Sequence, residues 1–331
     1  MHEQQYNSRS FRKRPLKVLR SLNPDFSRPP CALTIGNFDG VHRGHQALLR
    51  KLVEGARARQ LTSCVMTFEP HPKEFFSAAN APPRILNLRD KLEAIGKLNI
   101  DQVLVQNFNS AFAKLNPEAF VSEILLKQLN ARWVLIGDDF CYGAKRAGNF
   151  SSLQIAGKKW GFEVESIATV IENQERISSS ALRQALQDGN MEYAKELLGR
   201  TYSISGHVLY GQQLGRKLGF PTINLAVANH FENLKPATSG IFVAQVHGIA
   251  AKPLPAVASL GVRPSVDHSG KVLLEAHIFD FKENIYGRIV KVDLLKKLRD
   301  EAKYSDLNTL RLAIQNDALQ AQHYFKQAHN V

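Results

Sequence analysis

The stretch Gly36-Asn37-Phe38-Asp39-Gly40-Val41-His42-Arg43-Gly44-His45 decides how the rest of the chain is read. Ahead of it, Ala32-Leu33-Thr34-Ile35 is a short apolar run that reads as a buried strand, and Gly36 breaks it. Behind it, Leu48, Leu49, Leu52 and Val53 recur at helical spacing. The predicted local structure is strand, glycine turn, helix. Glycines let the backbone turn tightly and let a phosphate come close, and a helix N-terminus offers N–H donors to hold it. His42 and His45 lie one helical turn apart where the turn enters the helix, with Gly44 between them. Imidazoles there can meet charge developing on a polyphosphate.

The chemistry that suits this pair is nucleotidyl transfer. An incoming phosphate attacks the α-phosphorus of a nucleoside triphosphate and pyrophosphate leaves, so placement and charge neutralisation dominate. No Gly-x4-Gly-Lys-Ser/Thr occurs, so this is not a P-loop protein.

Moving outward, the spacing predicts a strand over Leu16 to Leu19 and another over Ser63 to Phe68. The second ends in Glu69-Pro70-His71-Pro72, whose two prolines predict a rigid extended exit. Helices are expected over 46–59, 88–97, 117–129 and 153–160, and strands over 102–105, 133–136 and 164–167. Strands alternating with helices predict a doubly wound, Rossmann-like parallel sheet. Ligands of such sheets bind at the carboxyl ends of the strands. The polar punctuation falls there: Gly36 to His45, Glu69 to Pro72, and Gly137 to Gly148.

Ile177-Ser178-Ser179-Ser180 precedes a helical run from Ala181 to Leu186. The serines read equally as plain N-caps and as hydroxyls offered to an anion. Arg183 in the first turn opposes the helix dipole, which makes better sense if an anion is present. From about residue 187 the texture changes. After a short helix over 191–198, strand-like runs follow with turns between them, at 202–209, 241–246, 256–260, 272–281 and 289–294, and a helix over 307–325 closes the chain. Closely spaced strands predict an antiparallel barrel. Gly-Phe-Pro-Thr at 219–222 reads as a loop entering a strand, on which Thr222 and Asn224 share one face and could reach magnesium or a phosphate. Glu275, within an apolar strand, is either partnered or functional; His277 two residues on reads as structural.

Length and composition bound these readings. A chain of 331 residues favours two domains. The net charge of +13 suits nucleic acid, membrane surfaces or anionic small molecules. Part of it is a basic tail over residues 1–14, with no apolar period, which reads as flexible. That tail is short and not convincingly amphipathic as a transit peptide, and it lacks the apolar segment of a secretory signal. Cys31, Cys64 and Cys141 form no CxxC pair, which fits a reducing cytoplasm. No apolar run approaches membrane-spanning length.

The quoted turn resembles the signature of the nucleotidyltransferase half of bifunctional bacterial riboflavin kinase/FAD synthetases. Phe68 to Pro72, Gly137-Asp138-Asp139-Phe140 and Ile177 to Ser180 with Arg183 agree with it. In the second half, Leu218 to Asn224 resembles that family's ATP/magnesium motif. Ser259-Leu260-Gly261-Val262-Arg263-Pro264-Ser265 and Leu274 to Phe281 also match, as do Tyr286-Gly287 and Leu298 to Glu301.

The resemblance implies an FMN adenylyltransferase over 15–186 and a riboflavin kinase over 187–331. It implies catalytic roles for His42, His45 and Glu275, the last as base for the ribityl hydroxyl. ATP would be held by Gly36, Asn37, Phe38, Asp39, Gly44, Ser178, Ser179 and Arg183 in the first module. In the second it would be held by Gly215, Thr222 and Asn224, the last two also binding Mg2+. Flavin would meet Asp138, Asp139, Arg263 and Arg299. The expected substrates and products are riboflavin, FMN, FAD and ATP, with no nucleic-acid or membrane partner and self-association left open. Cys141, Ser259 and Ser265 depart from the family pattern and support a rival with one live module. A nucleic-acid binder is the rival from another class; dispersed basic residues and the lack of aromatic RNA-binding signatures oppose it.

Overall fold

A computed structural model describes residues 15–20, 28–168, 171–172, 175–211, 214–227, 236–262 and 272–328. The basic tail, Arg263 and Ser265 lie outside them. The first half contains β1 (Lys17–Leu19), β2 (Cys31–Ile35), α1 (Arg43–Ala58), β3 (Thr62–Glu69), α2 (Pro72–Phe76), α3 (Leu88–Gly96) and β4 (Gln102–Asn107). It continues with a turn of helix, Pro117–Ala119, running into a π-helix, Phe120–Gln128, then β5 (Ala131–Gly137), α4 (Phe150–Trp160) and β6 (Glu163–Ile167). The six strands form one parallel sheet in the order β1-β4-β3-β2-β5-β6.

Both faces of this sheet are covered, which is why its central strands are apolar throughout. Ala32, Val65, Trp133 and Leu135 point to the side of α1 and α3. Leu33, Cys64, Met66, Val134 and Ile136 point to the other side, against Phe120, Leu125 and Leu153. The strand order reverses between β2 and β5, so a crevice opens beyond their carboxyl ends.

α5 (Ser179–Gln187) and α6 (Met191–Leu198) lead to the second half. There β7 (Ser203–Leu209), β8 (Ile223–Ala226), β9 (Gly240–His247), β10 (Leu254–Val262), β11 (Val272–Ile278) and β12 (Ile289–Arg299) close into an antiparallel barrel in the order β7-β8-β11-β10-β9-β12. Alternation sorts each strand: Leu274 and Ala276 are buried, whereas Leu273, Glu275 and His277 are half-buried. Glu275 thus shares the outer register of its apolar strand. α7 (Leu307–Ala328) packs on the barrel's outside through Ala318, Ala321 and Phe325 against Val243 and Val257.

One expectation fails locally. Pro70 and Pro72 do not prolong an extended exit; Pro72 opens α2. Proline suits the first helical position because the N–H it lacks would have no intrahelical partner there. His71 caps that helix, its Nδ1 accepting from Lys73 N at 3.1 Å.

The two halves share one continuous hydrophobic core that runs from the α1 side of the sheet through α5 and α6 into the barrel. Polar contacts reinforce it. Tyr202 Oη donates to Ile85 O at 3.0 Å, Asn87 Nδ2 donates to Ser205 O at 3.0 Å, and Ser205 N and Oγ donate to the Asp90 carboxylate. Burial raises the Asp90 pKa, and the Ser205 hydrogen bonds oppose that rise.

Candidate active site

The crevice at the sheet's switch point has a volume of about 1060 Å³. It is lined by the quoted turn, by His71, by Asp138 and Asp139 after β5, and by Ser178, Ser179 and Arg183 at the start of α5. All the N-terminal site residues picked out in the sequence therefore face one space.

The turn is built differently from the glycine-based expectation. Of its glycines only Gly40 takes a positive φ, +87°; Phe38 (48°) and Val41 (43°) share the left-handed region. A β-branched residue there is a genuine outlier, and each such residue costs about 1–3 kcal/mol unless its surroundings over-determine it. Gly36 and Gly44 serve instead to make room. A Cβ on Gly36 would lie 3.1 Å from the Phe38 ring, and one on Gly44 would lie 3.2 Å from the His42 ring.

Every part of the turn is held. Thr67 Oγ1 donates to Asn37 O, Phe38 and Val41 are buried in the core, and Ser179 Oγ donates to Asp39 O. The Asp39 carboxylate accepts from the backbone N–H of Ile85 and Leu86 and from Arg183 Nη2 at 2.6 Å. The anion that Arg183 was expected to need is thus present in the protein as Asp39. Ser178 likewise uses its hydroxyl to cap α5, accepting from Ala181 N.

His42 is buried and is the N-cap of α1; its Nδ1 accepts from His45 N at 3.3 Å. That bond leaves the proton of the neutral ring on Nε2, a donor. The two imidazoles stack with centroids 3.7 Å apart. Burial pulls the His42 pKa down to about 4; Arg183 and Arg200 lower it too, against the pull of Asp39. Burial also lowers His45 well below the usual value, and its enclosed Nδ1 has no hydrogen-bond partner. A buried, unsatisfied polar atom facing a crevice marks a place where a ligand can bind.

The rest of the crevice was not legible as a site. Phe68, Phe76, Phe108, Phe112, Phe120 and Tyr142 line it in a chain of ring contacts, edge-on except for the tilted Phe120–Tyr142 pair. Beneath lies a buried ionic knot in which Arg84 pairs with both Glu69 and Glu74. Although burial opposes it, those hydrogen bonds raise the Arg84 pKa. Lys91 is buried nearby, its pKa lowered by desolvation. Cys141 lines the crevice, and so do Lys145 and Arg146.

A second pocket, about 260 Å³, lies on the barrel's outer wall under α7. Gly215, Thr222, Ser259, Glu275, His277, Arg299 and Glu301 line it. Asn224 is opposite Glu275 in the β8–β11 ladder, and Ser259 is opposite it on β10. Asn224 Oδ1 is buried without a hydrogen-bond partner. Arg299 makes a two-pronged ion pair with Asp317 of α7, which raises its pKa and ties the helix over the pocket. His277 Nδ1 is 2.8 Å from Pro221 O, fixing the loop before Thr222. Burial raises the Glu301 pKa.

Comparison with known proteins matches both halves. The FAD synthetase family profile covers residues 26–181 and the riboflavin kinase profile residues 198–325. The bifunctional riboflavin kinase/FMN adenylyltransferase of Escherichia coli (strain K12) is 42% identical over 94% of this chain and 98% of its own. The chain belongs to the bifunctional riboflavin kinase/FMN adenylyltransferase family. As a family member it is a transferase with both activities, the adenylyltransferase module first. A homologue from Haemophilus influenzae, carrying the same description, is 40% identical over 94% of this chain and 99% of its own. A crystal structure described as a macrolide-efflux protein from Streptococcus pneumoniae shares the fold with a TM-score of 0.73 and 30% identity, covering 91% of this chain and 97% of that one. Among the described residues no helix is long and apolar enough to cross a membrane.

Proposed function

We propose that the crevice adenylylates FMN and that the barrel pocket phosphorylates riboflavin, with residues 15–186 and 187–331 as the two modules. The observation that carries the first assignment is the stacked His42–His45 pair, neutral and at the mouth of α1. An FMN phosphate oxygen attacks the α-phosphorus of ATP, and the bond to pyrophosphate breaks. His42 donates from Nε2 to the phosphates while Gly36, Asn37, Asp39, Gly44, Ser178, Ser179 and Arg183 shape their berth. Asp138 and Asp139 lie on the FMN side, and the aromatic wall receives the isoalloxazine.

In the barrel pocket Glu275 accepts the proton of the ribityl 5′-hydroxyl, whose oxygen attacks the γ-phosphorus of ATP; ADP leaves. Gly215 keeps the approach open. The Asn224 oxygen without a partner, two residues from the Thr222 hydroxyl, fits a hard cation such as Mg2+. When bound, that ion would neutralise phosphate charge. Arg299, with Arg263, serves the flavin side. Three free thiols suit a reducing cytoplasm.

The test is to supply riboflavin plus ATP and, separately, FMN plus ATP. His42→Ala should abolish FAD formation, a loss of about 10²–10³-fold or more, and leave FMN formation intact. Loss of both activities would sink the division between the pockets.

A further inference from the structure

Arg200 belongs to the stretch matched by the riboflavin kinase profile, yet its guanidinium reaches into the other module. Nη2 donates to Gly40 O at 2.7 Å, and Nη1 donates to Val41 O at 3.0 Å and to Leu198 O at 3.3 Å. Gln46 Nε2 closes the knot by donating to Val41 O at 2.9 Å and Leu198 O at 2.7 Å. The two carbonyls held by Arg200 belong to the two left-handed residues that immediately precede His42. Among the described residues all its hydrogen-bond acceptors are backbone carbonyls; Asp90 and Glu93 act on it through space.

We propose that Arg200 is a positioning residue of the adenylyl-transfer reaction, a brace from the kinase side that holds the backbone at Gly40 and Val41 so that His42 and His45 stay stacked at the crevice. The inference rests on the assignment of those histidines to phosphate binding. A left-handed valine relaxes unless held, and relaxing it rotates the next residue, which is the N-cap histidine. A planar fork can hold both carbonyls at once, whereas an ammonium is a single point donor. The brace also ties the two modules together: the adenylyltransferase turn is completed by a residue outside the segment its own family profile covers.

The experiment uses full-length Arg200→Ala and Arg200→Lys, with both activities measured on each preparation. In Arg200→Ala the kcat for FAD formation should fall about 100-fold, with the KM for ATP changed by less than about threefold, because a displacement of roughly 1 Å acts mainly on the transition state. Riboflavin phosphorylation serves as the folding control and should stay within about twofold of wild type. Arg200→Lys should fall between, and guanidinium ion should restore part of the Arg200→Ala rate. Normal FAD formation by Arg200→Ala, parallel loss of both activities, or a loss confined to the KM for ATP would each overturn the brace. His42→Ala separates the two ideas: if it forms FAD normally, the histidine assignment fails; if it is inactive while Arg200→Ala is active, only the brace fails.

Discussion

On the proposed assignment the crevice and the barrel pocket both take ATP, but they present different groups to it. In the crevice the groups nearest the turn are neutral imidazoles, and its buried carboxylate, Asp39, is held by Arg183. In the barrel pocket Glu275 and Glu301 line the space together with Thr222, and a third carboxylate, Asp317, is paired with Arg299. On that assignment the difference follows from the nucleophiles. The phosphate of FMN is already an anion and needs no base, so its module has only to place it and offset charge. The ribityl hydroxyl must lose a proton, so its module needs an acceptor. The sites also differ in construction. The crevice draws on residues from β2 through α5, whereas the pocket is formed by a barrel wall, the segments at 215–222 and 301–304, and α7.

The largest expected effect tests the asymmetry in bases. Glu275→Gln keeps the shape and removes the acceptor; riboflavin phosphorylation should fall about 10²–10⁴-fold while FAD formation from supplied FMN is unchanged. A kinase rate near wild type would move the base elsewhere in the pocket. Next is the asymmetry in construction. Arg84→Ala leaves Glu69 and Glu74 buried without their cation and should cost about 3–5 kcal/mol of stability in urea unfolding. FAD formation should then be lost at lower urea than FMN formation; coincident loss would mean that the shared core makes the modules one cooperative unit.

The smallest effect concerns protonation. His42 and His71 have folded-state pKa values near 4, depressed by burial from an ordinary 6.5. The unfolded chain therefore takes up protons first. Their contribution to stability is complete above about pH 6.5 and is lost as pH falls through about 4, at roughly 1.4 kcal/mol per pH unit for each imidazole. His71→Asn, which retains a capping side chain, should reduce that slope by about one proton between pH 6 and 5. An unchanged slope would show that His71 is not held neutral.

Much of the architecture was legible because it is written in local pattern. Alternating apolar runs and helical spacings marked the sheet and barrel, and the turn at 36–45 carried its own glycines and histidines. The ionic knot of Arg84 was not legible, because which of many charged residues pair depends on where β3 and α2 lie. The aromatic wall was missed for a similar reason: its members are single residues scattered from Phe68 to Tyr142. Asp39 and Arg183, 144 residues apart, were each picked out, but as ATP ligands rather than as partners.

Hydrophobic period and residue type are local properties, and they suffice to read the two modules and their order and to single out the residues that the proposed function places at phosphate. How the turn at 36–45 is held is set by contacts between distant parts of the chain. Its left-handed backbone sits at Phe38 and Val41 as well as at a glycine. That conformation persists because Thr67, Ser179, Ile85, Leu86 and Arg200 converge on it from distant parts of the chain. Strain of this kind is paid by contacts that no local window contains.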